Sequence, residues 1–212
     1  MKKIFLLLLP IALLSCSSDD DNTPVATPVN PNAVAYIRGN ANGQAIDYSY
    51  TLDASTPSYY GFNNGFSGVG SERVYYYGGG FSPASVAGVP QLMLSWNNLV
   101  TGTAAEESVA FQTAFETNIV NYITTEQDNA HIKGVEFSYE AENGEYYSTM
   151  EGSQNGSTFT IASSVSGVDT PSGLRTQTIT GTFSCKMYNY DNAADVIEMS
   201  GGTYKVILRE YN

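Results

Sequence analysis

Residues 176–188 read TQTITGTFSCKMY and carry the clearest structural pattern in the chain. Alternate positions are mainly apolar, and the positions between them are polar. The first set is Ile179, Gly181, Phe183, Cys185 and Met187, and the second is Thr178, Thr180, Thr182, Ser184 and Lys186. This period of two is typical of a strand with one buried face. The stretch therefore predicts a long half-buried β-strand with the Cys185 thiol facing the core.

Weaker strand patterns precede and follow it. They cover residues 34–38, 46–52, 72–77, 91–100, 135–140, 146–151, 158–161, 196–199 and 203–208. Asn143-Gly144 and Asn155-Gly156 have the composition of hairpin turns. Gly201-Gly202 indicates a bulge or turn, and the Gly-rich residues 61–70 are interpreted as a loop. We expect a mainly β fold: an antiparallel β-sandwich or curved sheet of about eight to ten strands.

One segment departs from the β pattern. Thr103 with Glu106 three residues later forms a capping box, which marks the start of a helix. The apolar residues Phe111, Phe115, Ile119 and Ile123 follow at a spacing of four. Such a stripe predicts one α-helix over residues 103–123, packed on the sheet.

The N-terminus indicates export. Lys2 and Lys3 precede an apolar run that is too short to span a bilayer, which is the pattern of a signal peptide. The run ends in Leu13-Leu14-Ser15-Cys16, which resembles the lipobox of bacterial lipoproteins. The resemblance implies cleavage before Cys16 and acylation of its thiol, with chains such as palmitate. Two or more acyl chains would anchor the mature protein stably to a membrane.

The residues after the cysteine indicate a destination. Ser18-Asp19-Asp20-Asp21 resembles the acidic export signal of Bacteroidota lipoproteins, which implies an outer-membrane lipoprotein exposed at the cell surface; a solvated acidic linker is the alternative. The segment from Gly181 to Val206 resembles the closing strands of uncharacterised Bacteroidota lipoproteins with a small β domain. We expect three regions: a signal peptide at 1–15, a lipidated acidic and Pro-rich tether at 16–32, and a single β-rich domain at 33–212.

Charge and cysteine content limit the partners and the disulfides that we expect. The chain has 9 basic and 21 acidic residues, and the loss of Lys2 and Lys3 with the signal leaves a charge of −14. Such a surface repels phosphate backbones, so nucleic acid is not an expected partner. With Cys16 acylated, Cys185 has no partner for an intramolecular disulfide.

Catalytic and metal-binding patterns are weak. His131 is the single histidine, with no nucleophile elbow elsewhere, so we interpret it as a loop or cap residue. Glu136, Glu140, Glu145 and Glu151 share one hairpin and could supply carboxylates for glycan hydrolysis, but Glu136 and Glu140 are expected on its wet face. Turn formation is favoured over calcium binding for a group of oxygen-bearing residues, namely Asp191, Asn192, Asp195 and Glu198. No cofactor is predicted.

Tyrosines come in consecutive groups, namely Tyr59 and Tyr60, then Tyr75, Tyr76 and Tyr77, then Tyr146 and Tyr147. Because consecutive strand residues point to opposite faces, some of each group must leave the core, where tyrosine suits contact with sugars or proteins. We expect a non-catalytic binding or structural module whose ligand is a glycan or another envelope protein. The alternative is a carboxylate-dependent glycan hydrolase at the cell surface.

Overall fold

The computed structural model of this protein describes residues 30–52, 58–67, 73–83, 91–100, 104–124 and 133–211. Within them the chain forms ten strands and one α-helix. The strands are β1 Ala35–Ala41, β2 Gln44–Tyr50, β3 Ser58–Ser67, β4 Arg73–Pro83, β5 Gln91–Val100, β6 Gly134–Glu140, β7 Tyr146–Ser148, β8 Thr158–Val168, β9 Arg175–Asn189 and β10 Val196–Arg209. The helix, α1, spans Ala104–Thr113.

All ten strands belong to one antiparallel sheet that curls into a half-barrel. The order is β2-β1-β10-β9-β7-β6-β5-β4-β3, and β8 pairs with β9 beside β7. β9, which contains the opening sequence 176–188, pairs with β10 along one edge and with β8 and β7 along the other. The predicted curved sheet of about eight to ten strands is therefore confirmed, and β9 is its central element.

The two faces of β9 match their sequence pattern. Ile179, Phe183, Cys185 and Met187 are buried on the concave face. On the other face, hydroxyls of β8 and β9 pair side by side, with Thr160 and Thr182 joined at 2.8 Å between their oxygens. Rings from several strands meet inside, including Phe137 stacked on Phe183 with ring centroids 4.5 Å apart. The inward orientation predicted for the Cys185 thiol is confirmed.

The prediction of a loop at residues 61–70 is wrong for residues 61–67, which belong to β3. Glycine weakens a strand because it has no side chain to pack. Here aromatic rings from the paired strand occupy the space: Tyr76 of β4 lies against Gly65, and Tyr60 of β3 lies against Gly79. The glycines are therefore sites of ring packing within the strands.

The helix prediction is wrong in length. α1 ends at Thr113, and residues 114–124 leave the helical path. Ile119 forms an isolated bridge with Thr160, and the Val120 N–H donates to the Phe159 carbonyl at 3.0 Å. Ile119 is 77% exposed, whereas Phe111, Phe115 and Ile123 are buried. The free edge of β8 offers backbone partners that replace the next turns of helix, so the apolar stripe is broken at Ile119.

Side chains of β3 close one side of the curled sheet. The backbone of β10 continues past its pairing with β1, which ends at Lys205, and so leaves an open edge. The Tyr60 hydroxyl donates to the Ile207 carbonyl and accepts from the Ile207 N–H. The Asn64 amide donates to the carbonyls of Arg209 and Glu210, at 3.0 and 2.8 Å. β3 thus satisfies this edge through side chains.

Among the residues that the structure describes, no helix is long and apolar enough to cross a membrane. The predicted signal peptide, the lipidation site Cys16, the export signal Ser18 to Asp21 and His131 lie outside the described residues.

Candidate functional site

A pocket of about 290 Å³ opens at one end of the half-barrel, beside the tip of the β1–β2 hairpin. Two residues, Asn42 and Gly43, form the turn, and both have positive φ angles, of 49° and 79°. The two-residue turns that fit the twist of a hairpin need such angles, which Asn-Gly adopts readily. The tight turn fixes the register, which pairs Ala41 with Gln44 and Ile37 with Tyr48.

The walls of the pocket come from both sides of the curled sheet. The hairpin, β9 and β10 supply one side, and β5 and β6 supply the opposite side. The lining residues are Ala41, Asn42, Gln44, Ile46, Tyr48, Leu92, Tyr139, Met187, Ile197 and Met199. Most are apolar, and the two amides, Asn42 and Gln44, are exposed near the hairpin tip. The arrangement is an apolar cleft with a polar, uncharged entrance.

A β-bulge gives β10 its contribution to the pocket. Met199 pairs with Cys185 and Gly202 with Phe183, so β10 has one residue more than β9 over this interval. A single inserted residue exchanges the two faces of a strand. Tyr204 faces the concave side beyond the bulge, and Ile197 and Met199 face it before the bulge. The bulge predicted at Gly201-Gly202 is confirmed, and it directs Met199 into the pocket.

Two phenols meet across the pocket. Tyr48 of β2 and Tyr139 of β6 both line the pocket, one from each wall. Burial raises the pKa of Tyr48 well above its ordinary value, and the neighbouring Tyr139 phenol and the charge of Glu142 raise it further. The Tyr48 phenol is therefore a neutral hydrogen-bonding group. Since each hydroxyl can donate one proton and accept others, the pair can bind an uncharged oxygen.

The tyrosines predicted for ligand contact are divided between the two faces. Tyr60, Tyr75, Tyr77 and Tyr147 are buried, so they cannot form a contact surface, because the curled sheet encloses its concave face. Tyr76 is half-buried, and Tyr146 is 42% exposed. Tyr59 lies in β3, but its side chain is outside the described part. The groups at 75–77 and 146–147 therefore send tyrosines to both faces, and no ring contact joins Tyr76 to Tyr146 among the described residues.

The calcium candidates do not gather into a site. Asp195 accepts from the Tyr147 hydroxyl at 2.7 Å, and the Asn192 side chain accepts from the Ala194 N–H at 3.2 Å. Glu198 lies in β10 and approaches Lys186 at 4.0 Å. No group of three or more His, Cys, Asp or Glu that could hold a metal occurs among the described residues. The Asn192 side chain therefore stabilises the turn, and Asp195 binds β7 through Tyr147.

Glu136 is less exposed to solvent than its place on the outer face of the hairpin predicted. It lies half-buried on the convex face and accepts from the Ser148 hydroxyl at 3.0 Å. Burial raises the pKa of its carboxyl, the Ser148 bond lowers it, and the nearby Glu151 raises it. Glu140 is exposed, as expected. Glu136 therefore lies outside the half-barrel, on the face opposite the pocket, with Glu151 near enough for its charge to act on this carboxyl.

Sequence reasoning did not select the pocket residues, although part of the signal was visible. Tyr48 and Tyr139 occupy inward positions of strands with a period of two, a pattern that by itself indicates only a buried face. Which two inward tyrosines face each other depends on how far the sheet curls between β2 and β6. That curvature arises from pairings distant in sequence, so a local pattern does not contain it.

Comparisons with protein-family models, with curated proteins and with solved structures find no match. The geometry itself defines the class of protein: a curled antiparallel sheet with an uncharged, mainly apolar pocket at one end.

Proposed function

We propose that this chain is a non-catalytic binding module, held at the outer membrane by a lipid on Cys16, and that the pocket between the hairpin tip and β5–β6 is its binding site. The observation that carries the proposal is the pocket itself. Its volume of about 290 Å³ lies near the lower end of the range for small-molecule sites, roughly 300–1,000 Å³. Apolar walls with a few convergent hydrogen-bonding groups are the usual composition of such sites.

The ligand is a component of the cell envelope. A glycan and another envelope protein are both candidates, but the pocket favours a partner that inserts an apolar group. Sugars are bound by flat aromatic faces and dense hydrogen bonding, whereas aliphatic and thioether side chains such as Ile46, Leu92 and Met187 dominate these walls. The burial of Tyr60, Tyr75, Tyr77 and Tyr147 removes most of the tyrosines that could have stacked on a glycan.

The binding proposal is tested on an array of glycans and cell-envelope components. The whole chain with Cys16→Ser, which cannot be acylated, is applied alongside the same chain carrying Ala41→Phe, which places a ring in the pocket. Val165→Phe, on the exposed part of β8, is the matched control. The Cys16→Ser chain and the Val165→Phe control should bind a common component that the Ala41→Phe chain does not bind. Equal binding by all three chains would remove the pocket from the proposal.

The anchor and its location have separate tests. Metabolic labelling with an alkyne-tagged palmitate should mark the parent and leave the Cys16→Ser chain unmarked. Protease treatment of intact cells should release the domain, because the tether would hold it outside the outer membrane. Complete protection of the domain in intact cells, with digestion after lysis, would place it on the periplasmic side instead.

A second candidate function, carboxylate-dependent hydrolysis of glycans, is favoured by one observation, the pair Glu136 and Glu151 with its raised pKa on Glu136. Glycoside hydrolysis uses two carboxyl groups, one as the acid and one as the nucleophile or base. Glu136 lies on the convex face and away from the pocket. Release of reducing sugar from envelope glycans by the parent, lost in Glu136→Gln, would support this second function.

A further inference from the structure

The walls of the pocket fit a flexible apolar group better than a rigid one. Ile46, Leu92, Ile197, Met187 and Met199 present aliphatic and thioether surface. Methionine is unbranched and polarisable, and it adapts to irregular shapes. Two methionines on neighbouring strands therefore make a wall that can close around a chain of methylene groups.

The lack of charged residues in the pocket lining disfavours ionised ligands. Among the described residues, the lining of the pocket includes no Asp, Glu, Lys, Arg or His. An ionised group that entered would lose its hydration without gaining an opposite charge, which is costly. Glu142 lies near enough to affect Tyr48, and the whole chain has a formal charge of −12, so an anion is disfavoured further.

The hydrogen-bonding groups fit an uncharged oxygen. Tyr48 and Tyr139 bring two phenol hydroxyls to the pocket. Each hydroxyl can donate one proton and accept others, so the two phenols together can bind the oxygen of a ligand. At the entrance, the Asn42 side-chain oxygen accepts from the Glu198 N–H at 2.8 Å, which leaves the Asn42 amide N–H groups for a second polar contact.

Size sets the length of the ligand. At the packing density of protein interiors, a pocket of about 290 Å³ holds roughly ten to fifteen non-hydrogen atoms. We propose that the pocket binds an alkyl chain of about eight to twelve carbons that carries an uncharged oxygen group, as in a fatty alcohol or a fatty-acid ester. This inference rests on the proposed function, because it names the class of group that the binding site takes.

The methionines provide a direct test. The chain has five, of which Met187 and Met199 line the pocket, whereas Met93 and Met150 do not. The whole chain with Cys16→Ser, labelled with ¹³C at the methionine methyl groups, is titrated with 1-decanol and with decanoate at pH 8. Decanol should shift the Met187 and Met199 signals and leave those of Met93 and Met150 in place. Decanoate, which has the same chain with a charged end, should need at least about tenfold higher concentration.

Two substitutions test the mechanism of binding. Ala41→Phe should abolish the decanol-dependent shifts, and Val165→Phe should preserve them. Tyr139→Phe keeps the ring and removes a hydroxyl, so it should weaken decanol binding by roughly three- to tenfold, which is the range for one neutral hydrogen bond. Unchanged affinity in Tyr139→Phe would show that the phenols do not bind the ligand oxygen and would overturn that part of the assignment.

The outcomes separate this inference from the proposed function. Equal shifts with decanol and decanoate would retain the pocket as a binding site and overturn the preference for an uncharged ligand. Binding of an array component through the pocket, with no shift from either decyl compound, would overturn the alkyl assignment alone. Shifts at Met93 or Met150 equal to those at Met187 and Met199 would mean adsorption at the surface, which would overturn the inference.

Discussion

The Tyr60 hydroxyl should be a main contributor to the closure of the half-barrel. It makes two hydrogen bonds with Ile207, one to the N–H and one to the carbonyl, at the part of β10 that has no neighbouring strand from β1. Tyr60→Phe removes both bonds and keeps the ring, which packs on Phe81 and Phe62 with centroids 5.0 and 5.7 Å away. The substitution therefore isolates the hydrogen bonds from the packing.

The size of the effect follows from what remains after the substitution. A neutral hydrogen bond contributes about 0.5–1.5 kcal/mol net, and a buried backbone group that loses its partner costs about 1–3 kcal/mol. Tyr60 is only 9% exposed, so water replaces the lost partner poorly. We expect Tyr60→Phe to lower the free energy of unfolding by about 2–3 kcal/mol, which corresponds to roughly 5–10 °C in Tm for a domain of this size.

Urea unfolding gives the measurement. The chain has one tryptophan, Trp96, which is buried in the core and reports unfolding by fluorescence. Tyr60→Phe should lower the urea midpoint at an unchanged m-value. Tyr76→Phe, in the neighbouring strand with its ring on the convex face, should stay within about 0.5 kcal/mol of the parent. If Tyr60→Phe also stays within that limit, the hydrogen bonds to the β10 edge do not hold the sheet closed.

Three further predictions concern buried positions. Gly79→Ala should destabilise the protein by about 1–3 kcal/mol in the same urea assay, because the added methyl would overlap the Tyr60 phenol. Gly80→Ala is the control and should be tolerated, because its methyl would lie at an ordinary distance of 3.7 Å from Met93. Burial raises the pKa of the Glu107 carboxyl in the folded state. The stability that this group contributes is therefore present below the unfolded pKa and is lost as pH rises through the folded pKa. Glu107→Gln can still accept from the Tyr77 hydroxyl, so it should become more stable than the parent as pH rises from 5 to 8. Burial raises the pKa of the Cys185 thiol to about 12. In the Cys16→Ser chain, an aromatic disulfide reagent at pH 8 should therefore label Cys185 only as fast as the protein unfolds. Immediate labelling in native buffer would contradict the burial of this thiol.

The local patterns predicted those parts of the fold that a strand determines by itself. In β9 the buried residues alternate along the strand, so the buried face followed from the order of residues such as Ile179, Phe183 and Met187. The Asn143-Gly144 turn is confirmed for the same reason, since Gly144 has a φ of 83° and the positive angle depends on residue type. Here the chemistry of neighbouring residues was sufficient.

Predictions failed where a distant segment supplied the deciding contact. Gly65 lies in a strand because the Tyr76 ring of β4 covers it, and Ile119 leaves the helical stripe because the edge of β8 offers a bridge at Thr160. Glu136 is half-buried because Ser148 of β7 lies against it. Each of these partners is set by the sheet as a whole, and a window of ten residues contains none of that information.

The pocket lowers the stability of the folded protein unless something fills it. An empty cavity costs about 24 cal/mol per Å³, so a dry void of about 290 Å³ would cost roughly 7 kcal/mol, comparable to the whole stability of a domain. The exposed amides of Asn42 and Gln44 and the phenols of Tyr48 and Tyr139 give water partners, which removes most of that cost. The water faces apolar walls, however, and an alkyl chain that displaces it gains about 0.8 kcal/mol per buried methylene, or nearly fourfold in affinity. The small side chain at Ala41 leaves part of this space open, where a larger residue would have occupied it. The inner face gives up packing at this end and places the phenols of Tyr48 and Tyr139 there, which is best explained by a ligand that completes the core.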